Sequence, residues 1–235
     1  MITLSKRLQA IADLVKPCET VADVGCDHGF LSIRLIEEGK AVHVFATDLR
    51  PGPLKAAKEH IHAHNLNNCI ETIQCDGLRG IHRADAIVIA GMGGKTMTDI
   101  LSAEPGKAGE ASQLVLQPQS ETGAFRRDLV RAGYRITGED MVEEDGKFYP
   151  ILSACRGEMD LSEEEAEFGP LLLDKKHPVL HKYLLWRLEV LEGLHNELSG
   201  REGERSRLRI LEIDGELALV RKALGRFGKG SAKPV

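Results

Sequence analysis

Four short segments between Asp23 and Gly94 combine glycine and aspartate in ways that fit ligand chemistry. The first is D-V-G-C-D-H-G, where Gly25 and Gly29 stand in a turn from an apolar run into a helical stretch. Glycine lets the backbone approach a ligand with no Cβ in the way. The spacing is not G-x-G-x-x-G, because Asp27 stands where the second fingerprint glycine would be, so hydride transfer from a dinucleotide is disfavoured. The second segment, A-T-D-L, puts Asp48 about twenty residues past that turn, where a carboxylate can accept from both cis hydroxyls of a ribose. Capping the helix that opens at Pro51 is the competing use of Asp48. The third, C-D-G-L, holds Asp76 and Gly77, an acceptor suited to an exocyclic amine. The fourth, A-G-M-G-G, sets Gly91, Gly93 and Gly94 around Met92, a bare surface that a flat ring could approach.

The elements that must position these residues are legible from periodicity. Val21 to Gly25, Val42 to Thr47, Ile70 to Cys75, Ala86 to Ala90 and Leu114 to Gln117 are short β-branched apolar runs bounded by turn residues. Helical spacing lies between them, as at Phe30, Leu31, Ile33, Leu35 and Ile36, and a leading helix is expected from about Leu4 to Val15. Strands alternating with helices imply a doubly wound α/β unit with a parallel sheet covered on both faces. Each segment above follows a strand, so all four belong to one sheet edge, where open α/β sheets bind ligands. Tyr134 to Ile136 and Tyr149 to Cys155, with Gly146 between them, read as a hairpin that adds an antiparallel edge.

Beyond Gly157 the strand signals stop, which divides the chain into residues 1–157 and an all-helical part, 158–235. Ser162-Glu163-Glu164-Glu165 is a capping box, and His177-Pro178 opens a second helix. Leu184, Leu188, Leu191, His195 and Leu198 form a narrow stripe. Ile210, Ile213, Leu217, Val220, Leu224 and Phe227 form an a/d seam, the pattern of two helices packed along their length. Gly200 and Gly203 mark the turn of an antiparallel, coiled-coil-like hairpin. Its short turn favours closure within the chain, giving a monomer or weak homodimer, and Gly228 to Val235 reads as a frayed tail.

Composition narrows the class. Hydrophobic residues make up 42% and charged residues 29%, as in an ordinary globular protein. No apolar stretch suffices to span a bilayer and no export signal opens the chain, so a cytoplasmic protein is expected. The five cysteines are scattered without a C-x-x-C pair, which argues against a zinc site or disulfide framework. The net charge of −5 excludes coating of nucleic acid by bulk charge. It hides a basic end, where Arg201, Arg205, Arg207, Arg209, Arg221, Lys222, Arg226, Lys229 and Lys233 outnumber Glu202, Glu204, Glu212, Asp214 and Glu216. That is a distribution suited to a nucleic-acid partner, or to a solvated helix face.

The series A-D-V-G-C-D-H-G-F-L, A-T-D-L-R-P-G-P-L, C-D-G-L, I-A-G-M-G-G and L-Q-P-Q resembles the bacterial tRNA (adenine-N1)-methyltransferases that act on adenine 22. So do the opening L-S-K-R-L, the stretch from Glu164 to Leu172 and the terminal hairpin. The resemblance implies a Rossmann-like class I methyltransferase sheet, with S-adenosylmethionine as cofactor and tRNA as partner. It implies cofactor binding by Asp23, Gly25, Asp48, Leu49, Asp76, Gly77, Gly91, Met92 and Gly93, with Asp48 on the ribose and Asp76 on the adenine amine. Asp27 and His28 would be catalytic. Arg7 and Gly94 would meet the target base, and Arg205, Arg207 and Arg209 the tRNA. Relatives often carry D-H-A-Y where this chain has Asp27-His28-Gly29-Phe30, so a tyrosine hydroxyl is missing here.

Adenine N1 carries a lone pair and no proton, so positioning is the main task, and a carboxylate accepting from N6 favours the developing cation. Asp27 is the candidate acceptor and His28 its orienting partner or the proton acceptor. Cytosine-C5 chemistry would need a cysteine nucleophile, and Cys26, Cys69 and Cys75 sit in no Pro-Cys motif. The alternatives are methylation of another RNA or a small molecule, or a non-catalytic nucleoside-binding module. The helical hairpin argues against a small-molecule substrate, and the intact loops argue against the non-catalytic module.

Overall fold

The computed structural model describes residues 2–200 and 203–228. The expected frayed tail beyond Gly228, and Arg201 and Glu202 between Gly200 and Gly203, lie outside the described residues. The chain divides into two compact units, Met1–Asp160 and Leu161–Val235.

The first unit is built on β1 (Cys18–Val24), β2 (Ala41–Asp48), β3 (Ile70–Gln74), β4 (Ala86–Met92), β5 (Gln113–Pro118), β6 (Tyr134–Glu144) and β7 (Lys147–Arg156). They form one sheet in the order β3-β2-β1-β4-β5-β7-β6. The first five strands are mutually parallel, and β7 runs antiparallel to both neighbours. Helices α1 (Lys6–Leu14), α2 (Phe30–Glu37), α3 (Pro51–Ala63), α4 (Gly94–Ala103), α5 (Pro105–Glu110) and α6 (Thr122–Arg131) complete it. Both faces of the central strands are covered, which is why Leu114, Val115 and Leu116 are all buried in succession. Strand order reverses between β1 and β4, and this opens a crevice at their carboxyl ends.

The edge hairpin turns at Asp145 and Gly146, with φ of 51° and 71°, the left-handed pair that a two-residue turn requires. β6 runs well past the expected Tyr134 to Ile136. A register shift between Ile136 and Gly138 changes the phase of burial, so Tyr134 and Ile136 are buried before it and Glu139 and Met141 after it. Simple alternation breaks at that bulge. Glu139 is buried because Arg126 of α6 meets it at 2.9 Å, and both side chains are almost fully enclosed.

In the second unit, Ser162 and Glu165 form a capping box at α7 (Glu163–Phe168). After α8 (Pro170–Asp174), α9 (Pro178–Ser199) packs along α10 (Glu204–Phe227), so the seam closes within the chain. Leu180, Leu184 and Leu191 of α9 are buried, as are Ile213, Leu217, Val220 and Ala223 of α10. The buried line thus takes Ala223 where an a/d reading favours Leu224, which is half-buried. Ion pairs flank the seam: His195–Asp214 at 3.3 Å, Arg221–Glu192 at 2.9 Å, and Arg187–Glu216.

Candidate functional site

A cavity of about 520 Å³ opens at the carboxyl ends of β1, β2 and β4, within the range that binds small ligands. Arg7, Asp23, Gly25, Asp27, His28, Asp48, Leu49, Asp76, Gly77, Gly91 and Met92 all line it. Parallel strands end on one edge, so residues far apart in sequence converge there.

The β1 turn is pinned to β2 by its backbone. The amides of Gly25 and Cys26 both donate to the Thr47 carbonyl at 2.8 Å. Gly25 has φ 75°, and a side chain there would collide with the Met92 Cε methyl. The Asp23 carboxylate, buried behind this turn, accepts from the Ser32 hydroxyl at 2.6 Å. Burial pushes its pKa up to about 6; the Ser32 hydrogen bonds oppose the rise and the Asp48 charge adds to it. Burial also pushes the Cys26 thiol up, with Asp23 and Asp48 acting the same way, so Cys26 stays protonated and is a poor nucleophile.

Asp48 is 6% exposed. Its Oδ1 accepts from the Arg50 amide at 2.8 Å, while Arg50 itself occupies the α3 N-cap without a side-chain cap. Oδ2 has no hydrogen-bond partner among the described residues. The neighbouring Thr47 hydroxyl is buried and also unpartnered. A carboxylate oxygen left without a partner at the cavity wall is what a ribose diol would satisfy. Leu49 stands 62% exposed beside it, an apolar face for a flat ring. Asp76 meets Arg79 at 3.3 Å, but both are over half exposed, so this contact yields readily to a ligand.

Asp27 and His28 sit on the turn before α2, with Asp27 Oδ2 and His28 Nε2 3.8 Å apart and both side chains more than half exposed. His28 stacks on Phe30 (centroids 5.7 Å apart), and Phe30 stacks on His60 at 4.6 Å. The His60 Nδ1 meets the His28 carbonyl at 2.9 Å. Arg7 reaches the cavity from α1, where its Nη1 donates to Gln117 Oε1 at 3.0 Å and its guanidinium lies 5.8 Å from the Tyr149 ring centre.

Gly93 and Gly94 do not line the cavity. A Cβ at Gly93 would press on the Ser120 hydroxyl and one at Gly94 on Phe125, so their bareness lets α4 pack against the start of α6. Arg205, Arg207 and Arg209 belong to the second unit. Arg209 is engaged by Glu212 at 2.6 Å and Glu216 at 3.5 Å, whereas Arg205 and Arg207 are exposed with no ion-pair partner among the described residues. Lys222 and Arg226 are drawn to the buried Glu164, at 3.1 and 2.8 Å. Sequence reasoning did not single out Thr47, Thr96 or Gln119 as lining residues. Gln119 was visible only as the last letter of L-Q-P-Q.

Comparison with known proteins shows the family. Residues 4–152 match a family model described as a methyltransferase domain. The tRNA (adenine(22)-N(1))-methyltransferase of Bacillus subtilis (strain 168) is 31% identical over 232 residues, covering 95% of this chain and 98% of that protein. The crystal structure of the B. subtilis M1A22 tRNA methyltransferase TrmK superposes with a TM-score of 0.85 at 30% identity, covering 95% of this chain and all of that one. TrmK of M. capricolum, solved with the cofactor product S-adenosylhomocysteine, gives a TM-score of 0.82 at 26% identity over 95% of this chain and 98% of that one. The chain belongs to the tRNA (adenine(22)-N(1))-methyltransferase family.

Proposed function

We propose that this chain transfers a methyl group from S-adenosylmethionine to N1 of adenine 22 in tRNA, in the cytoplasm. The observation that carries the reading is Asp48, engaged through Oδ1 alone, at the wall of a glycine-floored cavity on the sheet edge. Its carboxylate suits the ribose of a nucleoside cofactor. When bound, that cofactor supplies an electrophilic methyl group on a sulfonium. Asp48 accepts from the ribose hydroxyls, Asp76 from the adenine amine, and Gly25 and Gly91 admit the rest to the backbone. Among the described residues, no helix is long and apolar enough to cross a membrane.

The protein's task is then orientation, which can supply roughly 7–11 kcal/mol of barrier lowering. N1 needs no base to free its lone pair. The product ring is cationic, so Asp27 accepts from N6 as that charge develops and His28 orients Asp27. The target base is extruded from its stack before it can enter the site. Residues 1–157 hold the cofactor and residues 158–235 contact the tRNA, through Arg205 and Arg207.

Incubation with methyl-labelled S-adenosylmethionine and unmodified bulk tRNA, followed by nucleoside mapping, tests the reading. Label is expected in 1-methyladenosine at position 22. Label at another base, or on a small molecule alone, would replace this assignment.

A further inference from the structure

We propose that Gln119 determines base specificity by reading N6 and N7 of the target adenine, leaving N1 free for the methyl group; this rests on the activity proposed above. β5 ends beside β4, with Pro118 in register with Met92 and a register shift that takes Gly91 out of the ladder. The Gln119 amide donates to the Met92 carbonyl at 2.9 Å, which anchors this residue next to Gly91. Gly91 has φ 77°, and the point where its Cβ would stand lies 3.7 Å from both Arg7 Nη1 and Gln119 Nε2. Two polar side chains thus converge over a bare patch of backbone at the cavity.

Their chemistry separates their roles. Arg7 has donors only and is held by Gln117 Oε1. The Gln117 amide is used at both ends, since its Nε2 donates to the Pro118 carbonyl at 3.0 Å. The Gln119 side chain is exposed and has no hydrogen-bond partner among the described residues. One carboxamide offers an acceptor and a donor at the spacing of adenine N6–H and N7, the pairing by which glutamine reads adenine. Guanine presents two acceptors on that edge, so the amide oxygen would face O6 unpaired. N6 has two hydrogens, so Asp27 can accept the one on the N1 side while Gln119 takes the other.

The test uses tRNA transcripts carrying adenine or 7-deazaadenine at position 22, in single turnover at saturating enzyme. The parent should methylate the 7-deaza substrate about tenfold more slowly, the size of one hydrogen bond. Gln119→Ala, which loses both the N6 and the N7 hydrogen bond, should be about ten- to a hundredfold slower than the parent on adenine and equally fast on both substrates, with S-adenosylmethionine affinity unchanged. If 7-deaza substitution slows the parent and Gln119→Ala by the same factor, or slows neither, the inference is overturned. A parent that leaves adenine 22 unmethylated overturns the activity itself, an outcome distinct from either.

Discussion

The Nε2 of His28 lies 3.8 Å from a carboxylate oxygen of Asp27, and Asp27 has a left-handed backbone with φ 50°. Asparagine tolerates this left-handed conformation better than alanine does, which selects the informative substitution. Asp27→Asn should keep the turn, remove the charge and lower single-turnover methylation roughly a hundredfold, with little change in tRNA or cofactor affinity. An unchanged rate at saturation would remove Asp27 from the chemistry and direct attention to His28.

Asp48→Ala should weaken S-adenosylmethionine binding by roughly ten- to a hundredfold, about 1.5–3 kcal/mol for a charged acceptor. Asp48→Asn keeps an acceptor for the Arg50 amide and should fall between the two. Titration calorimetry on the folded variants distinguishes a missing ligand interaction from a disturbed turn. Equal affinity in all three proteins would place the ribose elsewhere.

Asp23 makes stability depend on pH with a definite sign. Its folded pKa of about 6 exceeds the ordinary 3.8, so the native state holds the proton more tightly than the unfolded chain. This contribution is fully present below about pH 4 and is lost as pH rises through 6, at most about 3 kcal/mol. Asp23→Asn, which can still accept from Ser32, should gain on the parent between about pH 4 and 7 in urea denaturation. A constant difference across that range would contradict the raised pKa.

Arg205→Gln with Arg207→Gln should flatten the salt dependence of tRNA binding by nearly two units of slope, because each phosphate left without its arginine keeps its condensed counterions. Arg209→Gln should change it less, since Glu212 and Glu216 already neutralise that side chain. Cofactor affinity should stay constant throughout. Filter binding from low to moderate salt checks the order; an equal slope in parent and double variant would move the RNA surface off α10.

Local sequence determined the parallel sheet and its loaded edge. β-Branched runs at Val21, Val44, Val88 and Val115 alternate with helical spacing, and parallel strands must end on one side, so Asp27, Asp48, Asp76 and Gly91 were bound to meet. The capping box at Ser162 and the paired helices after Pro178 were equally local signals. Tertiary structure decided the rest. Glu139 reads as a surface residue, yet it is buried because Arg126, on the helix packed against its strand, supplies the counter-charge. Gly93 and Gly94 share the glycine signature of Gly91, but only packing against Ser120 and Phe125 shows that they serve a helix contact. Arg205 and Arg209 are alike as letters, and acids one and two helical turns beyond Arg209 make them different as charges. Nor does spacing place Gln119 beside Arg7 over Gly91: that meeting joins α1, β4 and β5, and contacts between distant segments follow from packing, which no local pattern encodes.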